Sequence, residues 1–292
     1  MKDSQPNWFK EAISIDKDKK SIKVEGKFIH YQHWGDKNKP GMVLVHGSGS
    51  HSHWWDFIAP LLLDDFQISA LDLSGMGDSD RRENYSPELF AEEILKVAED
   101  SGFFEDGKEP IICGHSMGGF MSAMAGFISN KPLRGVIMVD SPIRPPTYDY
   151  SSHVRSGPIR RIKTYPSEES ILERFRLTPE QECDNEFLVN YIAKWSIKEV
   201  EDGFQWKFDD TIYDKLGFSH YQRNVAFDLK CHLGIIYGTE SLMMNEEILN
   251  FINENVPQNT PIIPVNQAAH HVPLDQPQEL VKSIKLIAKD WM

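Results

Sequence analysis

The chain holds only three cysteines, Cys113, Cys183 and Cys231. They are widely spaced, odd in number and without a C-x-x-C pair, which excludes a disulfide framework and a cysteine-based zinc or dithiol motif. Cys113 falls in an apolar run and reads as a small buried hydrophobe. No window approaches the roughly 18 consecutive apolar residues of a membrane-spanning helix. The opening residues, Met1-Lys2-Asp3-Ser4-Gln5-Pro6-Asn7, form no apolar leader. The expectation is a cytoplasmic protein in a reducing compartment, with no membrane partner. Positive charge is scarce: 31 Lys and Arg stand against 44 Asp and Glu, a net charge of −13. A nucleic-acid backbone would be repelled, so nucleic acid is not an expected partner. Internal repeats and low-complexity segments are lacking too. Gly47 and Gly49 share a short turn, but no Gly-Lys-Ser/Thr and no full G-x-G-x-x-G follows, which excludes a phosphate-cradling loop.

What is present is an ordinary globular composition, 40% hydrophobic and 26% charged over 292 residues. Short apolar runs alternate with amphipathic segments. Strands are expected at Val43–His46, Ile68–Leu71, Ile111–Gly114 and Val136–Val139, and helices at Trp54–Leu63, 86–100 and Met117–Ser129. Ser86-Pro87 supplies an N-cap followed by proline at the first helical position. Residues 21–34 read as a hairpin turning at Glu25-Gly26, and residues 1–20 as a loose polar arm. Strands alternating with helices imply a mostly parallel central sheet with helices on both faces. The alternation breaks after Ser141-Pro142 and resumes at Leu233–Tyr237, with a last strand at Ile262–Val265 and a last helix at 276–291. We therefore expect a core of residues 1–143 and 231–292 and a helical cap insertion at 144–230, with short helices around 168–177 and 186–197.

The run Gly114-His115-Ser116-Met117-Gly118 follows the third of those strands and fits G-x-S-x-G. That pattern forces a serine onto a sharp strand-to-helix turn, where glycines leave room for backbone to pack on backbone. Upstream lies a strand ending in His46-Gly47-Ser48-Gly49, then Asp72-Leu73-Ser74-Gly75-Met76-Gly77-Asp78-Ser79. Far downstream is His270-His271-Val272-Pro273-Leu274-Asp275-Gln276-Pro277. Four motifs in this order and spacing resemble the α/β-hydrolase family, over residues 22–143 and 231–292.

The resemblance implies a serine hydrolase with a catalytic triad. Ser116 would be the nucleophile, inert until an adjacent base takes its proton. The histidine that precedes x-x-P-L falls on His270, with His271 as the neighbouring rival. The base needs a carboxylate to hold its tautomer. Many members place an aspartate on the loop after the strand that follows the cap, but here that position is Ser241 in Tyr237-Gly238-Thr239-Glu240-Ser241. Asp140, at the end of the strand before the cap, is the preferred acid, and some branches, the haloalkane dehalogenases among them, place theirs there. Glu240 is the alternative. The oxyanion hole would use the backbone N–H groups of Met117 and Ser48. The Asp72 loop reads as structural, and Trp54 or Trp55 as a candidate pocket wall.

No cofactor and no metal are expected. His46, His51, His53 and Asp56 cluster locally, but on a loop and without a tetrahedral ligand pattern. In the insertion, Arg144, Arg155, Arg160, Arg161, Lys163, Arg174 and Arg176 recur among aromatics, including Tyr148, Tyr150, Tyr165, Phe175, Trp195, Phe204, Trp206 and Phe208. An arginine reaching a substrate carboxylate is one reading, and solvated arginines over a small cap core the other. The expected activity is cleavage of a small ester or related acyl bond through an acyl-enzyme. Carbon–carbon bond hydrolysis, thioester or lactone cleavage on the same triad, and non-catalytic ligand binding are the alternatives. The sequence does not give the oligomeric state.

Overall fold

The computed structural model describes residues 5–145, 147, 162–216 and 225–292. In chain order the elements are α1 (Asn7–Ser14), β1 (Asp18–Val24), β2 (Lys27–Trp34), β3 (Gly41–Val45), β4 (Gln67–Leu71), α2 (Pro87–Asp100), β5 (Ile111–His115), α3 (Met117–Ile128) and β6 (Gly135–Val139). The insertion contributes α4 (Glu168–Leu172), α5 (Glu186–Trp195), β7 (Ile197–Val200), β8 (Gly203–Trp206) and α6 (Ile212–Lys215). The chain then returns through β9 (His232–Gly238), α7 (Glu246–Asn255), β10 (Ile262–Val265), α8 (Val272–Asp275) and α9 (Pro277–Lys289).

Eight strands form one sheet in the order β1-β2-β4-β3-β5-β6-β9-β10. The first two pairings, β1 with β2 and β2 with β4, are antiparallel and the rest parallel. Strands β3, β4, β5 and β6 are buried at every residue, as a sheet covered on both faces requires. Alternate residues of β3 go to opposite layers. Met42 and Leu44 join a core with residues of α1 and α9, while Val43 and Val45 join one with residues of α2, α3 and α7. This is the α/β-hydrolase fold that the motif order implied. The chain passes from β3 out to β4 and back across to β5, so the sheet has a switch point beside β3. The carboxyl ends of β3 and β5 lie side by side there, where open α/β sheets bind ligands.

The Glu25-Gly26 turn has φ of 44° and 80°, both left-handed, as a two-residue hairpin demands. Three expectations need correction. Residues 7–14 are helix rather than loose arm. Phe9 and Ala12 are buried, and Phe9 packs edge-on against Phe187 and Tyr191 of α5 at 5.1 and 5.4 Å. Eight residues with apolar positions at 8, 9, 12 and 13 make one amphipathic face, which the polar flanks obscure. Residues 54–63 are two 3₁₀ turns, Ser52–Trp55 and Ala59–Leu62, because Pro60 has no N–H with which to continue a helix from the first turn. The insertion is not purely helical either: β7 and β8 form an antiparallel hairpin around Glu201-Asp202. The Asp-Gly pair at 202–203 was its sequence signal. Among the described residues no helix is long and apolar enough to cross a membrane.

Candidate active site

Ser116 sits between β5 and α3 with φ 55° and ψ −122°. For a residue with a Cβ this costs on the order of 1–3 kcal/mol. The turn is enforced sterically: a Cβ on Gly114 would lie 2.2 Å from the Gly118 carbonyl oxygen, and one on Gly118 would lie 2.3 Å from that of His46. The Ser116 N–H donates to Val139 O at 2.9 Å, which ties the elbow to the end of β6. Ser141 Oγ donates to Ser116 O at 2.8 Å from the same side. Met117 opens α3, so its N–H is one of the first-turn amides without an intrahelical acceptor. Gly47, after β3, lies so close that a Cβ there would be 3.4 Å from Ser116 Cβ. Ser48 follows it, half-buried, and its hydroxyl contacts the Tyr213 hydroxyl of α6. The two candidate oxyanion donors therefore flank the elbow on elements that converge on it.

Asp140 follows β6 with φ 45° and is fully buried. Its backbone N–H donates to Ile236 O of β9 at 2.8 Å. Its carboxylate accepts from His270 Nδ1 at 2.8 Å and Ser241 Oγ at 2.7 Å on Oδ1, and from Gly238 N–H at 2.9 Å on Oδ2. Every one of these donors comes from the sheet's carboxyl rim. The structure thus brings Asp140 and His270 together, with a proton on Nδ1 as a carboxylate acceptor requires. Glu240, the alternative acid, is exposed, and its backbone N–H is held by Ala268 O at 2.9 Å. Ser241, standing at the family's common acid position, is a residue whose part the sequence did not reveal: its hydroxyl donates to the Asp140 carboxylate.

The histidine loop is braced from two sides. From the core, His115 Nε2 donates to His270 O at 2.8 Å. From the insertion, Gln181 Oε1 accepts from His271 N–H at 3.0 Å, and Pro179 O accepts from His271 Nε2 at 3.1 Å. Asp275 completes the brace by accepting from Ala269 N–H at 2.8 Å and from Gln181 Nε2 at 2.8 Å. His271, the rival base, faces the insertion rather than Asp140. Burial pushes its imidazole down to about 3 and that of His115 well below the usual range, so both rings are neutral.

The other residues singled out in the sequence have structural partners. His46 Nδ1 donates to Gly47 O, and its Nε2 accepts from Leu73 N–H. Asp72 is buried, which alone would raise its carboxyl, but His30 and the Asp78 N–H hold it well below the carboxylate range. His51 bonds Ser196 of the insertion, and His53 bonds Asp56 and stacks on Trp195 at 3.7 Å, so the local histidine cluster is divided among separate partners. Trp54 is buried beside the His115 and His271 rings at 6.2 and 5.5 Å, whereas Trp55 lies wholly in the core.

Of the basic residues in the insertion, Lys163, Arg174 and Arg176 are exposed, and Arg176 donates to the carbonyls of Glu173 and Phe175. The aromatics Tyr165 and Phe175 both pack on Trp206. Arg155, Arg160, Arg161, Tyr148 and Tyr150 lie outside the described residues.

Comparison with known proteins agrees with this geometry. An uncharacterized hydrolase, YugF of Bacillus subtilis, is 24% identical over 277 residues, covering 89% of this chain and 94% of its own. The esterase Rv0045c of Mycobacterium tuberculosis is 29% identical over 120 residues, covering 40% of this chain and 38% of its own length. Among solved structures, the thioesterase domain from the curacin biosynthetic pathway superposes with a TM-score of 0.75 at 18% identity, over 94% of this chain and 99% of that one. Residues 42–283 match the alpha/beta hydrolase family, so strained elbow, parallel sheet and whole-chain similarity converge, and the chain belongs to that family.

Proposed function

We propose that this protein is a serine hydrolase that cleaves a small carboxylic ester or a related acyl bond through an acyl-enzyme. One observation carries the reading: a buried Asp140 carboxylate bonded to His270 Nδ1 at 2.8 Å, on a loop that His115 pins to the nucleophile elbow. In this mechanism His270 Nε2 takes the Ser116 proton as Oγ attacks the substrate carbonyl carbon. The Met117 and Ser48 N–H groups stabilise the oxyanion, an interaction of about 3–4 kcal/mol per donor. His270 then returns the proton to the leaving alkoxide, whose bond to the carbonyl carbon breaks. Water, deprotonated by His270, cleaves the acyl-serine and releases the acid. Asp140 holds the imidazole in the required tautomer and stabilises the imidazolium without taking its proton. The esterase relative lends weight to an ester over other acyl groups. A serine at the elbow argues against epoxide or haloalkane chemistry through an aspartyl ester, which needs a carboxylate there.

Labelling with a fluorophosphonate tests this. Wild type is expected to form a single covalent adduct at Ser116. Ser116→Ala should abolish it, and His270→Ala should slow it by at least about 10³-fold. Folded wild type that stays unlabelled, or labels elsewhere, would contradict the reading. A panel of p-nitrophenyl esters and acyl thioesters then ranks the substrates.

A further inference from the structure

The rings of His115, His270 and His271 form a cluster whose hydrogen bonds dictate where each lone pair lies. His270 Nδ1–H donates to Asp140. His115 Nε2–H donates to the His270 carbonyl, and His271 Nε2–H to the Pro179 carbonyl. Carbonyl and carboxylate oxygens only accept, so each of those nitrogens carries the proton. The remaining nitrogens, Nδ1 of His115, Nε2 of His270 and Nδ1 of His271, are left with lone pairs. Among the described residues, Nδ1 of both His115 and His271 has no hydrogen-bond partner, in rings that are 2% and 3% exposed. An acceptor orphaned in this way is costly unless something occupies it.

One ring nitrogen from each of the three histidines lies within 4.8 Å of those of the other two, and all three rings are buried. Ring centroids are 4.9, 5.0 and 5.8 Å apart. Three imidazoles, each anchored through one ring nitrogen to a carboxylate or backbone carbonyl, are the donor set and the outer shell of a histidine metal site. No thiolate is among them, and the Asp140 carboxylate is spent on His270. That chemistry suits a borderline ion such as Zn²⁺ and not Mg²⁺ or Ca²⁺, which want oxygen. An ideal tetrahedral edge is about 3.3 Å at Zn–N distances of about 2.0 Å, so nitrogens as far as 4.8 Å apart must close by up to about 1.5 Å as the rings turn onto the ion.

We infer that His115, His270 and His271 form a reversible site for one Zn²⁺-class ion that switches the enzyme off. The inference rests on His270 being the base: a metal on its Nε2 takes up the lone pair that would accept the Ser116 proton. The ion enters as an inhibitor, with no part in the acyl transfer.

Binding is measurable without turnover. Isothermal titration of the metal-free protein with Zn²⁺ should show one site. Titration with Co²⁺ should raise visible d–d absorption of tetrahedral intensity, with quenching of Trp54 beside the cluster. His271→Gln and His115→Gln, checked for native circular dichroism, should each weaken Zn²⁺ at least about 30-fold. His232→Gln, at an exposed position on the opposite rim, should change nothing. Mg²⁺ should not compete. Fluorophosphonate labelling of Ser116 should then slow with Zn²⁺ and recover with EDTA in wild type, but not respond in His271→Gln. Absence of binding, or binding that both His115→Gln and His271→Gln retain, would overturn the inference. A protein that binds Zn²⁺ at these histidines but never labels at Ser116 would instead fault the proposed hydrolase mechanism.

Discussion

The sheet's carboxyl rim and the insertion between β6 and β9 are built on opposite terms. On the rim, Ser116 and Asp140, the proposed nucleophile and acid, sit at left-handed backbone positions, φ 55° and φ 45°, and each is held by bonds from neighbouring strands. Among the described residues the insertion has small elements of four to ten residues. It meets the core through Leu177, Leu188 and Ile192, which share the hydrophobic cluster of α1 and α9, and through separate pairs: His51 with Ser196, His53 on Trp195, Gln181 with Asp275, and Tyr191 with Asp56 at 2.6 Å. The chemistry proposed for the rim tolerates little displacement, a misplacement of about 1 Å being able to cost about 100-fold in rate. The insertion supplies no member of the proposed triad and has only to stay docked.

That contrast can be broken or sharpened experimentally. The largest effect should come from Phe9→Ala, which removes the ring of α1 wedged between Phe57, Phe187 and Tyr191. A loss of about 3–5 kcal/mol in unfolding free energy is expected, read by urea titration, with the insertion becoming protease-sensitive before the core. Simultaneous loss of both would show that the two regions unfold as one.

The reverse test is local. Ser241→Ala deletes one of three bonds on the Asp140 carboxylate without touching the insertion. A hydrogen bond to a charged group is worth about 1.5–3 kcal/mol, so kcat/KM should fall roughly 10- to 100-fold with little change in stability. An unchanged kcat/KM would mean that His270 and Gly238 suffice to hold the acid.

The smallest effect lies at the seam. Burial lowers the imidazoles of His51 and His271 to about 3, and both bond residues of the insertion. The folded state therefore binds fewer protons than the unfolded one between about pH 6.5 and 3. Their contribution is complete above pH 6.5 and is lost as pH falls toward 3. By pH 5 each ring should cost on the order of 1–2 kcal/mol. Urea midpoints at pH 7.5 and 5.0 measure the slope, and His271→Gln should flatten it; an equal slope in that variant would place the acid sensitivity elsewhere.

The same contrast governs what could be read from sequence. Gly114 and Gly118 are dictated by close backbone contact within five residues, so the elbow announces itself. Asp140 ends a strand, where the family resemblance places the acid of some branches, and the order β6-β9-β10 brings that strand end close to His270's loop. Ser241 was not, since its role exists only relative to a carboxylate about a hundred positions away. His115 stood in the sequence only as the variable residue of the elbow, and its bond to the His270 carbonyl depends on the fold of the last loop. Helix α1 and the β7–β8 hairpin escaped because elements of four to eight residues carry too few periodic positions to outweigh polar neighbours. Of the two readings of the insertion's arginines, Arg174 and Arg176 fit the solvated one, since both are exposed.

The central claim is that the rim's acid is Asp140, displaced from the common position now held by Ser241. The measurement that tests it most directly is the rate of fluorophosphonate labelling of Asp140→Asn beside Glu240→Gln. The account predicts a fall of about 10³- to 10⁴-fold for Asp140→Asn, which turns the His270 tautomer, and a rate within about threefold of wild type for Glu240→Gln. A near-normal rate in Asp140→Asn, or a collapse in Glu240→Gln alone, would contradict it.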